Sequence, residues 1–133
     1  MSNSGWRSVF NLTKKDGSKM LADMHTHSEF SHDSSCKTED MLLSEIERGV
    51  NVFAVTDHFD TASHNNYDIF TPIKMAHAKI DRLRALYPNV EILKGIEIGE
   101  GFWFPKAAKR ITEELKCYVI IRAVHLVRHG KLS

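Results

Sequence analysis

The chain has 133 residues, 42% hydrophobic and 26% charged, enough for one domain with its own core and unlike an extended disordered segment. A net charge of +1, with the signs mixed along the chain, leaves no electrostatic footprint for nucleic acid or an anionic membrane surface. Cys36 and Cys117 form no CxxC pair and read as free thiols of a cytoplasmic protein, and no apolar run approaches the roughly 20 residues of a membrane span.

The N-terminal "MSNSGWRSVFNLTKKDGSK" is polar and lacks both clear periodicity and the apolar segment of a secretory signal. Residues 1–19 are expected to be a poorly ordered extension, with the domain spanning 20–133. "MLADMH" reads as a first strand, followed by a polar loop. Thr38 is the expected N-cap of a helix over "EDMLLSEIER", with Glu39 and Asp40 in the first turn, where the helix dipole favours acids. Leu42, Leu43 and Ile46 are expected on its buried side, and Gly49 ends it. "VNVFAVT" is a continuous β-branched and aromatic run of the kind found in strands buried on both faces.

Residues 57–71, "DHFDTASHNNYDIFT", read as a polar loop, after which Pro72 suits a first helical turn. Ile73, Ala76, Ile80, Leu83 and Tyr87 follow at alternating spacings of three and four, an amphipathic stripe that Pro88 closes. "VEILKGIEI" is a third strand. Pro105 opens a third helix with Ala108, Ile111 and Leu115 inward, and "CYVIIRAVH" is a fourth strand.

The order β-α-β-α-β-α-β with continuous apolar strands predicts an α/β fold with a parallel sheet, either open and doubly wound or part of a barrel. Gly17, Gly99 and Gly101 form neither a GxGxxG nor a P-loop, so no nucleotide cofactor is expected.

Metal-capable side chains gather where these strands end. His25 and His27 end the first, Asp57 and His58 the second, Glu97 the third and His125 the fourth. In parallel α/β folds that edge is where the loops open and active sites are built. Alternate strand residues point the same way, so the "HTH" pair can aim both imidazoles at one point. Asp33 and His32 lie in the loop after the first strand and can fold back over the same edge. Imidazole with carboxylate suits zinc, iron or manganese. Strand alternation turns Asp23 and Asp57 away from the neighbouring ligands, towards structural roles. His64, His77 and His129 carry no such pattern and are read as ordinary solvated or packed histidines. Tyr67, Phe102 and Trp103 are as well explained by packing as by a pocket.

"DMHTHSEFSHDS", "AVTDH", "KGIEIGE" and "AVH", in this order, resemble the successive motifs of the PHP (polymerase and histidinol phosphatase) family, over about residues 20–130. The likeness is strongest to bacterial histidinol-phosphate phosphatases. It implies a distorted seven-stranded TIM-like βα barrel with two or three divalent ions (zinc, iron or manganese). His25, His27, Asp33, His58, Glu97 and His125 match the ligands, with His32 competing with Asp33 and Glu97 as the bridging carboxylate. Asp33, His58 and Glu97 are the implied catalytic groups. The implied reaction is hydrolysis of a small phosphate ester, L-histidinol phosphate to L-histidinol, in histidine biosynthesis.

Two departures qualify the likeness. Arg122 and Ala123 stand where the family usually has Gly-Ser before Val-His. The chain also stops after the fourth strand, before the family's later histidine and closing Asp-x-His motif. It is therefore expected to be the N-terminal part of the barrel. The competing readings are a non-catalytic remnant and a PHP phosphoesterase or nuclease of other specificity.

Overall fold

Strand-forming and helix-forming segments alternate along the computed structural model, which describes residues 9–63 and 68–126. In chain order they are β1 (Val9–Thr13), β2 (Lys19–Asp23), α1 (Thr38–Glu47), β3 (Val52–Val55) and β4 (His58–Asp60). A single 3-10 turn (Thr61–Ser63), α2 (Phe70–Leu86), β5 (Glu91–Gly99), α3 (Pro105–Glu114) and β6 (Val119–Ala123) follow. His64 and Tyr67, and His129 in the tail, lie outside the described residues.

β5 is the spine of the sheet. Its first half pairs in parallel with β3, Val52 opposite Glu91 through Val55 opposite Lys94. Its second half pairs with β4, His58 opposite Glu97 through Asp60 opposite Gly99. β3 and β4 are thus successive pieces of one ribbon, interrupted only at Thr56 and Asp57. β6 lies along the other side of β5, Gly95 opposite Val119 through Gly99 opposite Ala123. β2 pairs with β3 over only two positions, Ala22 with Val52 and Asp23 with Phe53. The result is a curled, mostly parallel half-barrel, in keeping with part of a TIM-like barrel.

The helices cover its outer face. Leu42, Ile80 and Leu83 pack against Phe53, Val55 and Ile92. Further along, Ile73 and Ile111 pack against Phe59, Ile96 and Ile98. Because strand residues alternate, this outward set turns His58, Asp60, Glu97 and Gly99 to the inner face.

Four expectations change. Residues 9–19 do not form an irregular extension: β1 pairs antiparallel with β2, Val9 opposite Asp23 through Thr13 opposite Lys19. The turn between them is closed by Gly17 in the left-handed region at φ +82°, which glycine takes without strain. Leu43 is not core. It is 45% exposed, while Glu45, two residues further on and on the opposite side of the helix, is buried and sits 3.7 Å from Arg48.

Thr38 is the first helical residue rather than the cap. Its N–H and hydroxyl both donate to Glu29 Oε2 at 2.8 Å, so the end of α1 is satisfied from the preceding loop. Finally, residues 57–71 are not all loop. They hold β4, the 3-10 turn and the start of α2 at Phe70, two residues ahead of Pro72. Among the described residues no helix is long and apolar enough to cross a membrane.

Candidate metal centre

β2 ends at Asp23, so His25 and His27 sit in the extended stretch beyond it rather than in the strand itself. That stretch still tracks β3. Thr26 donates its hydroxyl to Ala54 O at 2.7 Å, and the Thr56 N–H donates to Thr26 O at 2.8 Å. With Thr26 held against the sheet, the imidazoles on either side meet, Nε2 to Nε2, at 3.2 Å.

Glu97 lies at the middle of the cluster. Its Oε1 is 3.2 Å from His25 Nε2 and 3.9 Å from His125 Nε2. Its Oε2 is 3.1 Å from His27 Nε2 and 3.2 Å from His58 Nδ1. Asp33 Oδ2 lies between His27 Nδ1 at 2.8 Å and His58 Nε2 at 3.1 Å. His25–His27–Glu97, His27–Asp33–His58 and His58–Glu97–His125 are therefore overlapping triads, with the ligand atoms of each within 4.8 Å of one another. The structure brings all six residues singled out by the sequence into one place. His32, the competitor of Asp33, is instead 2.7 Å from Asp60 Oδ2.

The electrostatics follow from this crowding. Burial opposes a charge on His27, but the adjoining Glu97 and Asp33 carboxylates outweigh it and raise its pKa to about 9. Burial likewise opposes charge on His58, yet its carboxylate neighbours, Asp60 first, raise its pKa. Burial pushes Glu97 up, but contacts with His27 and His58 hold it below the usual range. Asp33 stays well below that range through hydrogen bonds from Ser31 and His27 that exceed the effect of burial.

A cation fits this set better than protons do. Among the described residues, His58 Nδ1, Asp60 Oδ1 and Glu97 Oε2 are buried without a hydrogen-bond partner, although His58 Nδ1 is only 3.2–3.4 Å from both oxygens. Buried polar atoms are rarely left this way. Atoms that converge without pairing are arranged to share a central positive charge, and imidazole with carboxylate suits a transition-metal dication.

Sequence reasoning passed over Asp60 and Glu100. Asp60 lies two residues after His58 on β4, so "HFD" already placed both on one face. It went unseen because residues 57–71 read as loop. Glu100 is buried, and its Oε1 accepts the N–H groups of His125 and, at 3.0 Å, Leu126, which fixes the turn that carries His125. His77 is buried in α2 with Nε2 3.0 Å from Gly95 O, away from the cluster. Phe102 and Trp103 meet in a tilted ring contact, 4.6 Å between ring centres. Arg122 lines a groove against Ala108, Lys109 and Thr112 of α3, and none of the clustered histidines or carboxylates lines that groove.

Comparison with known proteins bears on the fold and the family. In the DNA polymerase/3'-5' exonuclease PolX of Bacillus subtilis (strain 168), 80 residues align at 33% identity, 60% of this chain but 14% of that protein. Histidinol phosphate phosphatase from Lactococcus lactis, solved with zinc, L-histidinol and phosphate, shares the fold. Its TM-score is 0.69 at 23% identity, covering 80% of this chain and 40% of that one. The chain thus spans less than half the length of either relative. Residues 23–127 match the PHP domain, nearly the whole described part, and the chain belongs to the PHP domain family.

Proposed function

We propose that this chain carries the ion-binding wall of a metal-dependent phosphomonoesterase, with L-histidinol phosphate as its substrate. The observation that carries this is Glu97, whose two carboxylate oxygens lie between His25 and His27 on one side and His58 and His125 on the other. A carboxylate so placed suits a bridge between adjacent ions, two or three in all, of zinc, iron or manganese. The zinc and ligands of the Lactococcus lactis phosphatase support the same reading.

Divalent ions held here would supply a water of lowered pKa and neutralise phosphate oxygens. His25, His27, Asp33, His58, Glu97 and His125 are the residues that would hold them. The chain's own contribution is preorganisation. Asp33 orients the rings of His27 and His58, and Glu97 keeps the four imidazoles converged. Proton return to the departing oxygen falls to the rim, where the His32 imidazole is exposed.

The test is phosphate release by the metal-loaded chain from L-histidinol phosphate, with a single-stranded DNA oligonucleotide as the phosphodiester control. Turnover of the monoester that chelation and Glu97→Gln both abolish is the expected result. Oligonucleotide cleavage in its place would favour the nuclease chemistry of the PolX relative. Stoichiometric metal without turnover of either would make this chain a non-catalytic metal-binding unit.

A further inference from the structure

We propose that Asp60 is a further metal ligand of this site, its Oδ1 facing the ion held by His58, Glu97 and His125 and its Oδ2 anchored by His32. The inference rests on the metal-centre reading above and extends it to a residue outside the six matched ones.

Four observations carry it. Asp60 Oδ1 is one of three buried, unpartnered polar atoms of the cluster, with His58 Nδ1 and Glu97 Oε2. It lies 3.4 Å from both His58 Nδ1 and His125 Nδ1, closer than separate solvation would leave them. The other oxygen, Oδ2, is engaged by His32 Nε2 at 2.7 Å. That division, one oxygen held from outside and one presented inward, is how ligating carboxylates are commonly oriented.

The fourth observation is steric. Gly99 faces Asp60 across the β4–β5 pair, and a Cβ there would lie 2.5 Å from Asp60 Oδ1 and 2.9 Å from His125 Nδ1. The absence of a side chain at Gly99 keeps open the space in which these two atoms converge.

Asp60 also accounts for what His32 does. His32 lies in the first-motif loop next to Asp33 and stacks on the His58 ring, centre to centre 4.6 Å. It is a positioning residue here, acting on the ion through Asp60. Asp33 is then left free to serve His27 and His58.

The experiment measures metal binding rather than turnover. Zinc and cobalt are titrated into the metal-free full chain by calorimetry, and the ions retained are counted by elemental analysis. Asp60→Asn preserves shape and a hydrogen-bond acceptor. It is expected to lose one bound equivalent, or about 10–100-fold in affinity at that site, and to change the visible cobalt spectrum. Gly99→Ala removes no ligand atom, yet is expected to lose the same equivalent. His32→Ala should weaken the site about tenfold, with recovery in His32→Gln, whose amide can still donate to Asp60.

Asp40→Asn, on the exposed side of α1, is the control for charge alone. If the wild-type chain binds ions and Asp60→Asn matches it in count, affinity and cobalt spectrum, Asp60 is not a ligand and the metal centre stands without it. A wild-type chain that binds no divalent ion would overturn both readings.

Discussion

Asp57 holds Ser28 by both of its donors: the Ser28 N–H reaches Oδ1, and the hydroxyl reaches Oδ2 at 2.6 Å. Ser28 directly follows His27 and Asp57 directly precedes His58, so this buried pair ties together the two segments that carry those histidines. Both Ser28 groups donate, so the ionised carboxylate is the form that accepts them, although burial pushes the Asp57 pKa up.

Asp57→Ala strands a buried N–H and a hydroxyl. Its expected cost is about 2–4 kcal/mol in the unfolding free energy of the metal-free protein, measured by urea titration. Ser28→Ala keeps the N–H bond and loses only the hydroxyl, for about 1–2 kcal/mol. Equal losses in the two variants would show that the backbone bond contributes nothing.

Glu100 is the one non-glycine residue with positive φ among the described residues, at +54°. Backbone there is unfavourable for a side chain bearing a Cβ, and it persists where the surroundings over-determine it. The carboxylate that receives the His125 and Leu126 N–H groups is that constraint. Glu100→Gln keeps a carbonyl acceptor and is expected to bind zinc within a few-fold of wild type. Glu100→Gly relieves the backbone but frees His125, and should weaken zinc by about 10–100-fold in competition with a chromophoric chelator. Identical affinities in both variants would remove Glu100 from any role in placing His125.

The pH behaviour has a definite sign. With its pKa raised from 6.5 to about 9, His27 carries a proton at pH 7.5 in the metal-free protein. Metal uptake must displace that proton, so apparent zinc affinity is expected to rise with pH until about 9. Calorimetry at pH 7.5 in two buffers of different protonation enthalpy should record proton release. No buffer dependence would contradict the raised pKa.

The same shift governs stability without metal. A raised histidine pKa stabilises fully below 6.5, and that contribution is lost as pH climbs to about 9. Asp60 has the opposite sign. The adjoining His58 ring lowers its pKa from 3.8 to about 2, so its contribution is present above 3.8 and lost as pH falls to about 2. Thermal unfolding of the metal-free chain should therefore show this network at its most stabilising between those limits, from about pH 4 to 6.5. A melting temperature that climbs steadily from pH 7 to 9 would contradict it.

Leu42 and Leu43 are neighbours with different environments. Leu42 is fully buried against Phe53 and Ile80, whereas Leu43 faces solvent. Leu42→Ala is expected to cost about 2–5 kcal/mol, and Leu43→Ala less than about 0.5 kcal/mol, both read by urea titration.

The long elements were legible because their signals are local. The α2 stripe and the apolar runs of β3 and β5 can each be read within one window, and "HTH", "TDH", "GIEIGE" and "AVH" each fall where a strand runs out. β4 was not legible. Three residues inside a polar stretch carry no period of their own, and "HFD" is a strand only because Glu97–Gly99 lies beside it. β1 was missed for a related reason. Its exposed Phe10 and Leu12 lie on one edge of the sheet, and pairing with β2, not a buried face, defines it.

The sequence by itself determined which residue types are available, their order along the chain and the strand ends to which they belong, because periodicity and capping act over a few residues. Only the tertiary structure decided which atoms meet. Asp33 rather than His32 joins His27 and His58, Asp60 enters the cluster, and Glu97 stands among four imidazoles. Those outcomes depend on the register between strands far apart in sequence, where a shift of one residue would turn each side chain to the other face of the sheet.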